Sequence, residues 1–109
     1  MKFGLPQKNY DAINRVFAKY PEIDEVLIYG SRAKGTHKPG SDIDLTLIGK
    51  ALTLSDLLKI ENELDDLMLP YFIDLSLFYS ITDPGFLQHI KRVGLPFYTK
   101  EHLAAQLDS

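Results

Sequence analysis

The chain has 109 residues, no cysteine, 45% apolar composition and a net charge of −3 from 12 basic and 15 acidic side chains. That length suits one small domain over residues 1–109, with a core from about 7 to 99 and a polar tail over 100–109. Disulfides and thiolate metal sites are excluded, the acidic balance argues against general nucleic-acid binding, and no apolar run reaches the length of a membrane span.

In chain order, Tyr10, Ile13, Val16, Phe17 and Tyr20 recur at helical spacing over 7–20, with Pro6 at the start and Pro21 at the end. Residues 25–29 are a short β-prone run stopped by Gly30, and 31–35 suit a brief helix opened by Ser31. Asp42 to Ile48 alternates as a strand. Thr53 caps a helix to about 68, with Leu54, Leu57, Leu58, Leu64, Leu67 and Met68 expected on its buried stripe. Residues 71–78 read as an apolar strand, and Asp83-Pro84 opens a helix to Val93, ended by Gly94 and Pro96. An edge strand over 95–99 follows. Helices alternating with strands predict an α/β domain, α+β in some schemes, with a small mixed sheet flanked by helices.

Strand residues at i and i+2 share a face. Asp42, Asp44 and Thr46 therefore lie together, and Asp74 and Ser76 repeat the pattern on the next strand. If the strands are neighbours, three carboxylates converge with no basic residue on either strand. Alone, Asp42-Ile-Asp44 reads as a solvated strand face, but Asp74 interrupts an apolar strand, where an unpaired charge is expensive. A hard divalent cation relieves such a cluster, and Mg²⁺ held by one or two carboxylates and substrate phosphates fits. Gly30-Ser31 follows a strand directly, so backbone N–H groups at the following turn are open to phosphate. Arg32, Lys34, His37 and Lys38 add cations nearby. Together these residues describe a site for a metal–nucleoside triphosphate, with ATP or another NTP as ligand.

Gly30-Ser31, ten residues, Asp42-Ile-Asp44 and a later strand carboxylate at Asp74 resemble the signature of the DNA polymerase β-like nucleotidyltransferase superfamily. The form Tyr-Gly-Ser-Arg-Ala-Lys-Gly…Gly-Ser-Asp-Ile-Asp-Leu resembles its minimal nucleotidyltransferases (MNT), the antitoxin partners of HEPN toxins, over about residues 13–98. The resemblance implies a nucleotidyltransferase fold, two Mg²⁺ ions on Asp42 and Asp44, and phosphates held by the Gly30 turn and Ser31. It implies that Asp74 completes the metal site and helps activate an attacking hydroxyl. It further implies transfer of a nucleoside monophosphate, AMP from ATP, to a tyrosine of a partner HEPN toxin.

A toxin-neutralising module that transfers nothing, and an adenylyltransferase acting on a small molecule such as an aminoglycoside, are the alternatives. The lack of an acceptor domain disfavours the latter. His37, His89 and His102 have no ligand spacing and read as surface or supporting residues. Phe72, Phe78, Tyr79, Phe97 and Tyr98 read mainly as core, with aromatic surface to spare for an interface in a homodimer or hetero-oligomer. With no signal-peptide pattern, the expected compartment is the cytoplasm.

Overall fold

Apolar alternation in the strands and a one-sided stripe on each long helix produce a four-stranded mixed sheet with helices on both faces. The computed structural model describes residues 1–100; the expected tail beyond Lys100 lies outside the described residues. The elements are α1 (Gln7–Phe17), β1 (Glu25–Tyr29), α2 (Gly30–Lys34), β2 (Ile43–Ile48), α3 (Leu54–Asp65), β3 (Ile73–Leu77), a 3-10 turn at Phe78–Ser80, α4 (Pro84–Val93) and β4 (Leu95–Thr99). The sheet order is β3-β2-β1-β4. β1 runs antiparallel to both β2 and β4, while the β2–α3–β3 connection makes β2 and β3 parallel.

Ile43, Leu45 and Leu47 of β2 turn to one face and are fully or almost fully buried with Leu5, Ile13, Phe17, Ile60 and Phe97. α1 packs there over β4, where the Tyr10 hydroxyl donates to the Phe97 carbonyl at 2.7 Å and Asn14 Nδ2 donates to the same oxygen at 3.3 Å. That carbonyl belongs to the residue skipped by the bulge in the β1–β4 register. The helix caps follow the sequence: Thr53 and Asp56 form a reciprocal capping box on α3, and Asp83 caps α4 ahead of Pro84.

Several boundaries and faces differ from expectation. β2 begins at Ile43, leaving Asp42 just outside it, and β3 is shortened to Ile73–Leu77 because Phe78 enters the 3-10 turn. α1 and α3 end earlier, at Phe17 and Asp65. On α3 the buried seam is Leu57, Ile60, Leu64 and, beyond the helix end, Leu67. Leu54, Leu58 and Met68, expected inside, are 65%, 53% and 86% exposed. The seam at 57, 60, 64 and 67 is apolar throughout, whereas the stripe through Leu54 and Leu58 also carries Glu61 and Asp65 and stays in water. Glu63 then meets the Tyr20 hydroxyl and, at 3.1 Å, Lys19. Phe72 and Tyr79 are likewise exposed, whereas Phe97 and Tyr98 are core.

This choice of face gives a direct test. Ile60→Ala is expected to cost about 2–5 kcal/mol by opening a cavity, whereas Leu58→Ala stays within about 0.5 kcal/mol. Urea unfolding of the two variants distinguishes them, and equal losses would reject this helix orientation.

Candidate active site

The other face of the sheet carries the polar residues. In the parallel register Asp44 stands opposite Asp74 and Thr46 opposite Ser76. From β1, Tyr29 stands opposite Asp44. One row across three strands therefore reads Tyr29, Asp44, Asp74. Below it the Ser76 hydroxyl bonds the Thr46 hydroxyl at 3.0 Å, giving the row a fixed polar floor.

Asp44 is the partly buried member of the acidic set, while Asp42 and Asp74 are exposed. The expectation of a buried, unpaired Asp74 is thus corrected: β3 is an edge strand, and water reaches its carboxylate. Burial raises the pKa of Asp44, and the carboxylates of Asp74 and Asp42 raise it further; His89 and Arg32 act in the opposite direction. Among the described residues the only salt bridge is Lys19–Glu63, so no close cation neutralises the three aspartates.

Gly30 meets the site at its backbone. Its φ is +73°, and a Cβ there would collide with the Asp44 carboxylate. Glycine is required on both counts. Ser31 follows in the first turn of α2, half-buried, so the turn and Asp44 are direct neighbours. α2 spans only five residues, so its dipole adds little; what it offers an anion is the Ser31 hydroxyl and local N–H groups.

Arg32, expected among the nucleotide-binding cations, is turned inward and only 3% exposed. Its Nη2 and Nε donate to the Ser41 carbonyl at 2.8 and 3.1 Å, Nε also reaches the Asp42 carbonyl at 3.2 Å, and Nη1 donates to the Phe3 carbonyl at 2.9 Å. The guanidinium lies over the Tyr71 ring, 5.1 Å from its centroid. Arg32 therefore fixes the chain at Asp42 instead of facing solvent. Lys34 is exposed at the end of α2. His37 is turned toward the N-terminal turn, where a Cβ on Gly4 would strike its ring.

Two further residues join the site: Tyr29, at the end of the β-prone run, and His89, which reads from sequence as a surface or supporting residue. Tyr29 is buried, and burial pushes its phenol up to about 12; the neighbouring Ser76 hydroxyl opposes this rise, while Asp74 and Asp44 add to it. It stays protonated at neutral pH. His89 of α4 packs edge-on against the Tyr29 ring at 6.1 Å, beside Phe86. Its i+3 spacing from Phe86 was the available sequence signal; that this stripe faces the carboxylates depends on how α4 docks.

Among the described residues, no group of three His, Cys, Asp or Glu is arranged to hold a metal by itself. The residues nevertheless fit a hard cation. All donors are carboxylate oxygens, Asp44 is disfavoured as an anion by its neighbours, and Mg²⁺ ordinarily completes its shell with water and phosphate. A cavity of about 600 Å³ lies elsewhere, between α1 and β4, and contains none of the three aspartates.

The family model described as "Polymerase beta, Nucleotidyltransferase" matches residues 11–103. This chain belongs to that nucleotidyltransferase family. Among solved structures, the nucleotidyltransferase is similar to a chain of a toxin–antitoxin complex with AMP-PNP, at 19% identity and TM-score 0.68, covering 86% of this chain and 76% of that one. It is similar to a chain of the toxin–antitoxin MntA–HepT, at 16% identity and TM-score 0.64, covering 89% and 75%. It also resembles a chain from the complex of a tri-AMPylated Shewanella oneidensis HEPN toxin with MNT antitoxin, at 16% identity and TM-score 0.63, covering 92% and 77%. At these identities the likeness is one of fold. Among curated proteins, none matches at a significant level.

Two outcomes follow for the nucleotidyltransferase. Arg32→Lys is expected to cost at least about 2 kcal/mol in urea unfolding, since an ammonium lacks the fork that serves carbonyls at Phe3, Ser41 and Asp42 together. For Asp44, the raised pKa means that the folded state binds its proton more tightly than the unfolded chain. Its penalty is thus absent at low pH and appears as pH rises through the raised value. Without divalent metal, Asp44→Asn should therefore stabilise at neutral pH, by roughly 0.2–1 kcal/mol as for an opposed strand pair, and the gain should vanish in acid. Thermal unfolding against pH in EDTA measures this; a gain that persists in acid would contradict it.

Proposed function

We propose that this nucleotidyltransferase is a Mg²⁺-dependent, cytoplasmic enzyme that transfers AMP from ATP to a tyrosine hydroxyl of a HEPN toxin and so acts as its antitoxin. The observation that carries the reading is the in-register pair Asp44–Asp74 beside the Gly30–Ser31 turn. The toxin–antitoxin relatives, one with AMP-PNP and one with an AMPylated HEPN toxin, support the nucleotide and the partner.

In this reading the Gly30 turn and Ser31 hold the β- and γ-phosphates, with Lys34 supplying nearby positive charge. Asp42, Asp44 and Asp74 hold Mg²⁺, two ions in the full assembly. When bound, the metal neutralises phosphate charge on both the attacking and leaving sides of an in-line displacement. The acceptor's hydroxyl oxygen attacks the α-phosphorus, and the bond from that phosphorus to the bridging oxygen breaks. Pyrophosphate leaves with the bonding pair, and the hydroxyl proton passes to Asp74. Tyr29 and His89 wall the site, and Arg32 holds Asp42 in place rather than touching nucleotide.

A second reading, a neutralising module that transfers nothing, is favoured by one observation: Asp42 and Asp74 are exposed and need no ligand to be solvated. Intact-mass spectrometry decides between the two. The product of the neighbouring gene, tested as the candidate HEPN partner, is incubated with this chain, ATP and Mg²⁺, and is expected to gain AMP. Asp42→Asn or Asp74→Asn should lower that rate by a factor of about 100 or more, while Asp74→Asn still binds a non-hydrolysable ATP analogue. A toxin neutralised with no gain in mass would give the case to the binding module.

A further inference from the structure

The two edges of the sheet are built differently. On β4, Pro96 and a bulge discourage further pairing, and the bulged Phe97 carbonyl is already bonded by Tyr10 and Asn14. The β3 edge lacks both: Ile73–Leu77 contains no proline or bulge, and its one charge, Asp74, lies on the site face. Its backbone polarity can be assigned. Ile43 N–H donates to the Phe72 carbonyl at 2.9 Å, so in the parallel ladder Phe72, Asp74 and Ser76 address β2. The N–H and C=O groups of Ile73, Leu75 and Leu77 consequently point to the open edge.

Side chains flank that edge on both faces. On α3, Glu63 points to α1, which sits over β4. The opposite flank of the helix, beyond its buried seam, is the stripe Leu54, Leu58, Glu61 and Asp65, which by its position overhangs β3. Leu54 and Leu58 are exposed there. On the site face the strand offers exposed Phe72 and Asp74. Charge selects the occupant. The charged side chains placed at this edge are Glu61 and Asp65 on the helix flank and Asp74 on the strand, all acidic. A second copy of this chain would bring like charges together, whereas a basic segment would be attracted.

We propose that the β3 edge is the acceptor-docking surface, where an extended, lysine- or arginine-bearing segment of the partner protein adds as a fifth strand. Its apolar side chains face Leu54 and Leu58, and its alternate residues face the aspartates. The residue beside Asp74 on that face is then the one whose hydroxyl receives AMP. This clause rests on the transfer reading above; the docking itself rests on the edge, the flank and the charge. The strand geometry thereby supplies the acceptor positioning.

The probe is the synthetic peptide Lys-Val-Lys-Val-Tyr-Val-Lys-Val-Lys, whose period-two pattern sets tyrosine and lysines on one face and valines on the other. Two further forms are N-methylated, one at the valines and one at the remaining internal residues, so that each loses the donors of one edge. Binding to the full chain is followed by fluorescence anisotropy, hydrogen exchange and peptide mass after incubation with ATP and Mg²⁺. The unmodified peptide is expected to bind, to slow amide exchange at Leu75 and Leu77, and to weaken with salt. One methylated form should bind about tenfold or more weaker while the other keeps its affinity. Leu54→Ser with Leu58→Ser, distant from the aspartates, should also weaken binding, by about 100-fold, since each buried leucine contributes about a factor of ten. Binding with β3 protection but no AMP on the peptide would support the docking edge and reject transfer to it. AMP transfer with no β3 protection, or equal affinity for both methylated forms, would reject the edge and leave the transfer reading standing. Absence of binding overturns the proposal.

Discussion

The parallel pairing of β2 with β3 is the constraint on which the site depends. Because α3 returns the chain to the same end of the sheet, Asp44 and Asp74 arrive side by side in register, and Thr46 and Ser76 do the same one pleat further along. An antiparallel hairpin in place of that crossover would need only a short turn, and the two carboxylates would share a row only by a different register. The same alternation turns Ile43, Leu45 and Leu47 into the core, so one register builds the apolar layer and the acidic face at once. A one-residue slip would bury the aspartates and expose the leucines, which is why the repulsion between Asp44 and Asp74 is tolerated.

The second element of order is the buried guanidinium of Arg32. It ties the N-terminal turn at Phe3, the loop at Ser41 and the backbone of Asp42 to the short helix that begins at Gly30. A loop from Gly35 to Gly40 that is largely exposed would otherwise leave Asp42 free to wander. Through one side chain the position of Asp42 becomes linked to that of the Gly30–Ser31 turn. The Tyr71 ring beneath the guanidinium replaces water on that side and binds the cation through its π face.

The site is open rather than enclosed. Tyr29, Phe86 and His89 wall it on the β1 side, where α4 packs, while toward β3 the sheet simply ends. That asymmetry suits a nucleotide held on the walled side and an acceptor that approaches from the open one.

The sequence by itself determined the element order, the capping of α3 and α4, and the residues of the acidic face, because these depend on local chemistry. Period two on β2, Thr53 before a helical run, and glycine before Ser31 can each be read within a few residues. Tertiary structure decided what depends on neighbours. Arg32 reads as a free cation until Phe3, 29 residues earlier, and Ser41 are brought to it and bury it. Asp74 reads as a charge inside an apolar strand, and only the sheet order shows that the strand is an edge open to water. On α3, leucines at 54 and 58 fit a buried stripe as well as Ile60 does. The docking of Ile60 and Leu64 into the core decides the face, and leaves Glu63 to meet Tyr20 and Lys19. His89 joined the site for the same reason: helical spacing names a stripe, but the angle at which α4 packs on β1 decides what that stripe meets.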